Sequence, residues 1–290
     1  MRATARTVKE VVAVRKGEPT TEGAGVRLVR AFGPEEAERL DPFLLLDHFG
    51  SDDPEDYTAG FPFHPHRGME TVTYMIRGIM DHADSLGNKG TIGPGDVQWM
   101  TAGSGIIHQE MPRRSEGGLE GFQLWVNLPA DSKMMSPRYR DVRMEDIPTL
   151  APSEGVMVKV IAGEMREVRG PIRDLIAEVM YLDASMDPGA RLEAPVPEGW
   201  NAFLYVYRGY VHSAEGGQLV GTETAALLGD GDAVAVEAGE DGARLLLVAG
   251  RPIEEPVSSR GPVVMNTEEE LREAFREIRE GTFVKDRPRT

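Results

Sequence analysis

Two short segments of the sequence each place two metal-ligand side chains two residues apart. The first contains His64 and His66, and the second contains His108 and Glu110. On a β-strand successive side chains point to opposite faces, so the two members of each pair share one face. Two such strands side by side would bring three imidazoles and one carboxylate to the same point. The spacing therefore predicts a metal site built on a β-sheet.

The composition restricts what this site can contain and what the protein can bind. The chain has no cysteine, which excludes disulfides and thiolate ligands and leaves histidine and carboxylate side chains to hold a metal. The formal net charge of −16 would repel the phosphates of a nucleic acid, so we expect no direct nucleic acid binding. No apolar run approaches the roughly 18 residues that a membrane helix needs, and the first residues lack the pattern of a secretory signal. We therefore expect a cytoplasmic protein with no membrane association.

Short apolar runs separated by turn residues recur along most of the chain. Many short strands at such spacing are typical of an all-β sandwich or barrel, in contrast to alternating strands and helices. The runs in the first half that carry this pattern most clearly are Val72–Ile76, Gly78–His82, Asp96–Met100, Ile106–Met111 and Phe122–Asn127.

One segment near the C-terminus has the pattern of an amphipathic helix. Thr267 and Glu270 form a capping-box pair, and Leu271, Phe275 and Ile278 then recur at helical spacing. The pattern predicts a helix over residues 267–280 whose apolar face packs on another element.

The segment 128–150 contains three prolines and alternating charges, and it predicts an irregular crossing between two domains. We place the division within it. The predicted domains are residues 1–135, which carry the metal site, and residues 136–290, which include the C-terminal helix.

An internal repeat relates these two domains. The five residues that begin at Tyr74 return, with two changes, from Tyr205 onward, and the Gly-Asp pair at Gly95 returns at Gly231. At these spacings the four ligand positions of the first copy correspond to Pro195, Pro197, Arg244 and Leu246. We therefore expect the second domain to lack metal ligands.

The residues around the two ligand pairs resemble the pirin family of the cupin superfamily. The resemblance rests on residues 64–70 (HPHRGME) and 90–112 (GTIGPGDVQWMTAGSGIIHQEMP), and it extends to the segments that begin at Asn127, Met134 and Met265. It implies two antiparallel, jelly-roll-like cupin β-barrels in tandem, of which the first holds Fe(II) and the second holds no metal.

The carboxylate ligand has two candidates. In cupins generally it lies shortly after the His-x-His pair, which here would be Glu70, whereas the pirin pattern places it at Glu110. Glu110 also shares a strand face with His108, so Glu110 is the predicted ligand and Glu70 is the alternative. The predicted ligand set suits Fe(II), which the resemblance favours, or another divalent transition metal; it consists of His64, His66, His108 and Glu110.

The remaining candidates are assigned more ordinary roles. The three other histidines occur singly and are expected to be structural or solvent-facing, although His48 at a strand end is a candidate for the pocket wall; they are His48, His82 and His212. An apolar set is expected to line a pocket or to belong to the core: Phe61, Phe63, Trp99, Met100, Phe122 and Trp125.

The pirin resemblance implies a flavonol 2,3-dioxygenase of the quercetinase type. Its substrates would be a small aromatic, flavonol-like molecule and O2, the flavonol ring would open with loss of carbon monoxide, and Glu110 would act as the catalytic base. The alternative is a metal- and redox-dependent regulator that binds a protein partner, because pirins are also described as transcriptional cofactors and regulators of metabolic enzymes.

Overall fold

The computed structural model describes residues 6–214 and 217–286, and strands dominate this part of the chain. The predicted all-β class is confirmed. In chain order the strands are β1 Val11–Lys16, β2 Glu18–Glu22, β3 Val26–Phe32, β4 Phe43–Ser51, β5 Phe61–His66, β6 Met69–Arg77, β7 Met80–Asp84, β8 Lys89–Ile92, β9 Val97–Thr101, β10 Ile106–Pro112, β11 Leu119–Asn127, β12 Arg138–Val142, β13 Thr149–Ser153, β14 Val156–Ala162, β15 Glu164–Met165, β16 Val168–Arg169, β17 Val179–Met186, β18 Arg191–Pro195, β19 Asn201–Ser213, β20 Leu219–Gly221, β21 Thr224–Leu228, β22 Ala233–Gly250, β23 Ser258–Arg260 and β24 Val263–Met265.

The predicted C-terminal helix is confirmed as α1, Glu268–Glu280. Thr267 Oγ1 accepts a hydrogen bond from the Glu270 backbone N–H, and the Glu270 carboxylate accepts one from the Thr267 N–H, so the capping box forms. The buried face of the helix packs with Val263 and Met265 of β24. The described residues also contain three short 3-10 helices, at Pro34–Glu36, Pro54–Asp56 and Met144–Asp146. Within the described residues no helix combines the length and the apolar character required to cross a membrane.

The described chain divides into two compact units. The first unit comprises residues 19–30, 43–144 and 253–286. Its larger sheet has the strand order β12-β9-β6-β11-β4-β3-β2, and its smaller sheet has the order β5-β10-β7-β8. The strands of the smaller sheet run antiparallel, as do the neighbours from β12 to β4 in the larger sheet. The strands β5 and β10, which carry the two ligand pairs, lie side by side in the smaller sheet.

The second unit comprises residues 6–18, 31–42, 145–214 and 217–252. Its sheet has the order β1-β21-β19-β22-β17-β14-β13, with β18 paired to β22 and β20 paired to β19. The side chains that alternate inward from these strands form one apolar cluster, rich in Val, Leu and Ala. Because period-2 apolar strands can bury one whole face, this unit has an apolar core.

These units differ from the predicted domain ranges. Residues 253–286 lie in the first unit because the apolar face of α1 is buried against β24 and Ile107. Residues 6–18 lie in the second unit because β1 pairs with β21. The segment 128–150 was predicted to be irregular, but it contains β12, which pairs with β9 and extends the larger sheet of the first unit. The sequence did not predict β12 because its charged residues obscure the alternation of apolar and polar side chains that marks a strand.

Candidate metal centre

Three of the four predicted ligands converge between β5 and β10. His64 lies directly opposite His108 in the strand register, and His66 lies opposite Ile106. The imidazole centroids are 4.5 Å apart for His64 and His108, and 4.9 Å apart for the two pairs that include His66. One nitrogen from each ring lies within 4.8 Å of the others. Among the described residues this is the one cluster of metal-ligand side chains with such spacing.

The hydrogen bonding of these imidazoles fits a metal. Both ring nitrogens of His66 and both of His108 are buried and have no hydrogen-bond partner in the described chain. Buried polar atoms are normally paired, and one nitrogen of each ring lies close enough to the others to share a ligand, so this arrangement fits a metal-binding site. Nδ1 of His64 lies 2.9 Å from the Pro62 carbonyl oxygen. A carbonyl only accepts, so Nδ1 carries the proton and Nε2 is left to bind a metal.

Burial also sets the charge state of the site. Desolvation lowers the pKa of His66 and of His108 well below the ordinary value of 6.5, and the neighbouring histidines lower it further. Both imidazoles are therefore neutral near pH 7, which is the form that binds a transition metal.

Glu110 is buried close to the histidines along β10, and its carboxylate is held by the larger sheet. Thr73 Oγ1 lies 2.9 Å from Glu110 Oε1, and Gln123 Nε2 donates to Glu110 Oε2 at 3.0 Å. The register of β10 against β5 shifts between His108 and Glu110. The carboxylate does not belong to the group of ligand atoms within 4.8 Å of one another. Its role as the fourth ligand stays a prediction.

Glu70 lies on the other face of β6 from Thr73, the residue that contacts Glu110. Thr101 Oγ1 donates to Glu70 Oε1 at 2.5 Å, and burial raises the pKa of this carboxyl. Because side chains alternate along β6, a strand with regular pairing to β9, Glu70 cannot share a face with Thr73. This placement favours Glu110 over Glu70.

The apolar pocket candidates divide between the two faces of the larger sheet in the same way. Trp125 and Met100 both lie opposite Thr71, and the Trp125 ring meets the His66 ring edge-on at 5.5 Å. Trp99 and Phe122 point to the opposite face, whereas Phe63 is 57% exposed. Trp125 is therefore the aromatic ring that borders the candidate centre.

The histidines expected to be structural or solvent-facing have different environments. His82 is buried on β7 directly opposite Glu110, and its ring stacks on Tyr139. His48 is buried, and its Nε2 lies 3.1 Å from the Glu120 carboxylate, so His48 is structural. His212 is exposed.

Sequence reasoning missed the two side chains that hold Glu110. Thr73 and Gln123 face each other across β6 and β11, with Thr73 Oγ1 2.9 Å from Gln123 Oε1. The available signal was an isolated polar residue within each apolar strand, Thr73 between Val72 and Tyr74 and Gln123 between Phe122 and Leu124.

Comparison with known proteins identifies the family. The Pirin family model matches residues 25–126, and the Pirin C-terminal cupin domain model matches residues 181–284. A pirin-like protein from Caulobacter vibrioides is 49% identical over 277 residues, which cover 95% of this chain and 99% of that protein. The chain belongs to the pirin family. Human pirin is 43% identical over 275 residues, covering 93% of this chain and 92% of the human protein.

A solved structure shows the same fold. A crystal structure of quercetin 2,3-dioxygenase from Acinetobacter baumannii matches with a TM-score of 0.88 at 34% sequence identity. The match covers 96% of this chain and 99% of that chain. The cupin fold implied by the sequence resemblance is thereby confirmed.

In this pirin the second unit has apolar side chains where the first has histidines. β18 and the first part of β22 pair as β5 and β10 do, and the inward-facing residues Ala194 and Val234 lie directly opposite each other. The predicted counterparts Arg244 and Leu246 are wrong, because that part of β22 pairs with β17 and β19. The first unit has a loop between β10 and β11 where the second has the continuous strand β22, which shifts the spacing of the repeat.

Proposed function

We propose that the protein is a metal-dependent flavonol 2,3-dioxygenase with its centre at His64, His66, His108 and Glu110. The observation that carries the proposal is the set of four buried, unpaired imidazole nitrogens on His66 and His108. An unpaired buried nitrogen costs roughly 1–3 kcal/mol, and a bound metal would remove this cost for the one nitrogen of each ring that coordinates it. Three neutral imidazoles and one carboxylate are a ligand set for Fe, Mn, Ni, Cu or Zn, and the pirin relationship favours Fe(II).

When bound, the metal would supply Lewis-acid and one-electron redox chemistry toward a deprotonated flavonol and O2. The protein residues would hold the substrate and handle its proton. Trp125, beside His66, offers an aromatic edge to a flat ligand. Water exclusion follows from the burial of His66 and His108 at about 1% exposure.

Glu110 would take the proton of the substrate 3-hydroxyl on a carboxylate oxygen. A carboxylate is an effective base when it is fixed within reach of the proton it accepts. Thr73 and Gln123 fix the two oxygens of Glu110 from the larger sheet, at 2.9 and 3.0 Å. These contacts orient the base and leave the remaining lone pairs of each oxygen for the metal or the substrate.

The similarity to the Acinetobacter baumannii quercetin 2,3-dioxygenase, at 34% identity over nearly the whole of both chains, supports the choice of a flavonol as substrate. The reaction would open the flavonol ring with O2 and release carbon monoxide.

The test is to incubate the iron-loaded protein with quercetin under air and to follow flavonol absorbance and carbon monoxide. We expect the loss of flavonol absorbance and the release of carbon monoxide to depend on iron. Neither should occur with the His66→Ala variant. His212→Ala is the matched control, since His212 is an exposed histidine of the second unit. Iron binding without carbon monoxide release above the His66→Ala background would contradict the proposal and would favour the regulator hypothesis.

A further inference from the structure

The two residues that follow the ligand His66 connect β5 to β6 and are fixed by the C-terminal segment, residues 262–286. The Arg67 N–H donates to the Pro262 carbonyl at 3.2 Å, and the Arg67 carbonyl accepts from the Val264 N–H at 3.0 Å. Gly68 has a left-handed φ of 73°, and a Cβ there would lie 1.9 Å from the Val264 carbonyl oxygen. Only glycine therefore fits between β5 and this segment.

The Arg67 side chain adds a second set of contacts to the same segment. Its guanidinium, on a residue only 2% exposed, lies 4.2 Å from the centroid of the Phe283 ring. It donates to the carbonyl oxygens of Ser104 at 2.8 Å and Phe283 at 2.7 Å, and it forms a 2.7 Å ion pair with Glu277 of α1. A buried guanidinium needs such partners, because an unpaired buried charge is strongly destabilising.

No hydrogen bond within the described chain orients the His66 ring. Histidine ligands usually donate their second ring nitrogen to a carbonyl or carboxylate, which orients the ring. His64 has such a bond to Pro62, whereas neither ring nitrogen of His66 has a partner in the described chain. The orientation of the His66 ring therefore depends on its backbone and on packing against Trp125. The backbone is held at the next residue, Arg67.

We propose that Arg67 is a positioning residue through which the C-terminal segment sets the geometry and metal affinity of His66. The proposal rests on the metal centre of the proposed function and does not depend on which substrate that centre uses. Although α1 is far from Arg67 in the sequence, its Glu277 pairs with the Arg67 guanidinium. Loosening this contact would free the end of β5 and the imidazole it carries.

The test is the Arg67→Lys variant, which keeps the positive charge but loses the planar fork that joins Ser104, Phe283 and Glu277. The measurements are the dissociation constant for Fe(II), its rate of loss into excess chelator, and the electron paramagnetic resonance spectrum of the Cu(II)-loaded protein. We expect affinity to fall by about 10- to 100-fold, as for outer contacts to metal ligands, with a changed spectrum. Arg272→Lys is the matched control. Arg272 is an exposed arginine on α1, the helix that carries Glu277, and it is paired with Glu269.

Circular dichroism establishes that the variant is folded at the assay temperature. A folded Arg67→Lys protein with the affinity and spectrum of the unchanged protein would overturn the proposal. If Arg67→Lys does not fold, the Glu277→Gln variant is measured in its place. For this variant we expect the Fe(II) affinity to fall by about threefold to tenfold and the Cu(II) spectrum to change. An unchanged Cu(II) spectrum would overturn the proposal. Unchanged protein that binds no metal would overturn both this inference and the proposed function. Metal binding without flavonol turnover would overturn the function alone.

Discussion

The two units present the same pair of antiparallel strands with opposite interiors. In the first unit β5 and β10 face inward with histidines and a glutamate, whereas in the second unit β18 and β22 face inward with alanine, valine and leucine. Each buried aliphatic side chain stabilises a fold by roughly 1.5–3 kcal/mol, whereas each unpaired buried polar group costs about 1–3 kcal/mol. The first interior thus gives up stability at the candidate metal centre, and the second is built for stability.

The strongest test of this comparison is to remove two imidazoles from the first unit. His66→Ala combined with His108→Ala should abolish metal binding, a loss beyond the roughly 100-fold effect of an outer contact. Without metal, the variant and the parent protein should have similar free energies of unfolding. The reason is that the substitutions remove four unpaired buried nitrogens together with the two imidazole rings. Metal titration and urea denaturation measure the two quantities. A large loss of metal-free stability would mean that these histidines are part of a structural core.

The converse test removes apolar volume from the second unit. Leu247 lies opposite Leu204 in the middle of the apolar cluster, and Leu247→Ala should lower the free energy of unfolding by about 2–5 kcal/mol. Metal affinity of the folded protein should not change. Leu219→Ala is the control, since Leu219 is 51% exposed and should cost little. A drop in metal affinity with Leu247→Ala would show that the two interiors are not independent.

A smaller effect is expected from the sheet that holds Glu110. Thr73→Val keeps the shape of the side chain and removes the hydroxyl next to Glu110 Oε1, so metal affinity should fall by about tenfold. Thr101→Val is the matched control, because the Thr101 hydroxyl contacts Glu70 on the other face. Isothermal titration with Fe(II) or Ni(II) gives both constants. Equal affinities for the two variants would argue against Glu110 as a ligand.

The smallest effect is expected at Glu70 and appears in the dependence of stability on pH. Burial raises the folded-state pKa of Glu70 above 4.5, so its contribution is full below about pH 4.5 and is lost as the pH rises through the folded value. Glu70→Gln mimics the protonated form. The variant should gain stability relative to the metal-free parent as the pH rises, and metal affinity should be unaffected. Urea denaturation between about pH 5 and 8 checks the first point. Loss of metal binding would instead make Glu70 the ligand.

Local sequence rules were sufficient for several features of this pirin. The two-residue spacing of His64 and His66, and of His108 and Glu110, required strands and placed each pair on one face. The Thr267 capping box fixed the start of α1 to within one residue. Such features depend on side chains only a few residues apart, where backbone geometry leaves few alternatives.

Other features depended on which strands pair. The regular pairing of β6 with β9 places Glu70 on the opposite face from Thr73. The pairing of β6 with β11 brings Thr73 and Gln123 together, and both contact the Glu110 carboxylate. The true counterparts of the histidines in the second unit were displaced because a loop in one copy is a continuous strand in the other.

The sequence by itself determined the candidate ligand residues, the face that each pair occupies and the all-β class, because alternation along a strand is a local property. Only the tertiary structure decided that β5 lies beside β10, that Glu110 is held by the larger sheet, and that the C-terminal segment contacts Arg67 next to His66. Those contacts join residues far apart in the chain, and they depend on loop lengths and on the burial of whole faces, which local patterns do not specify.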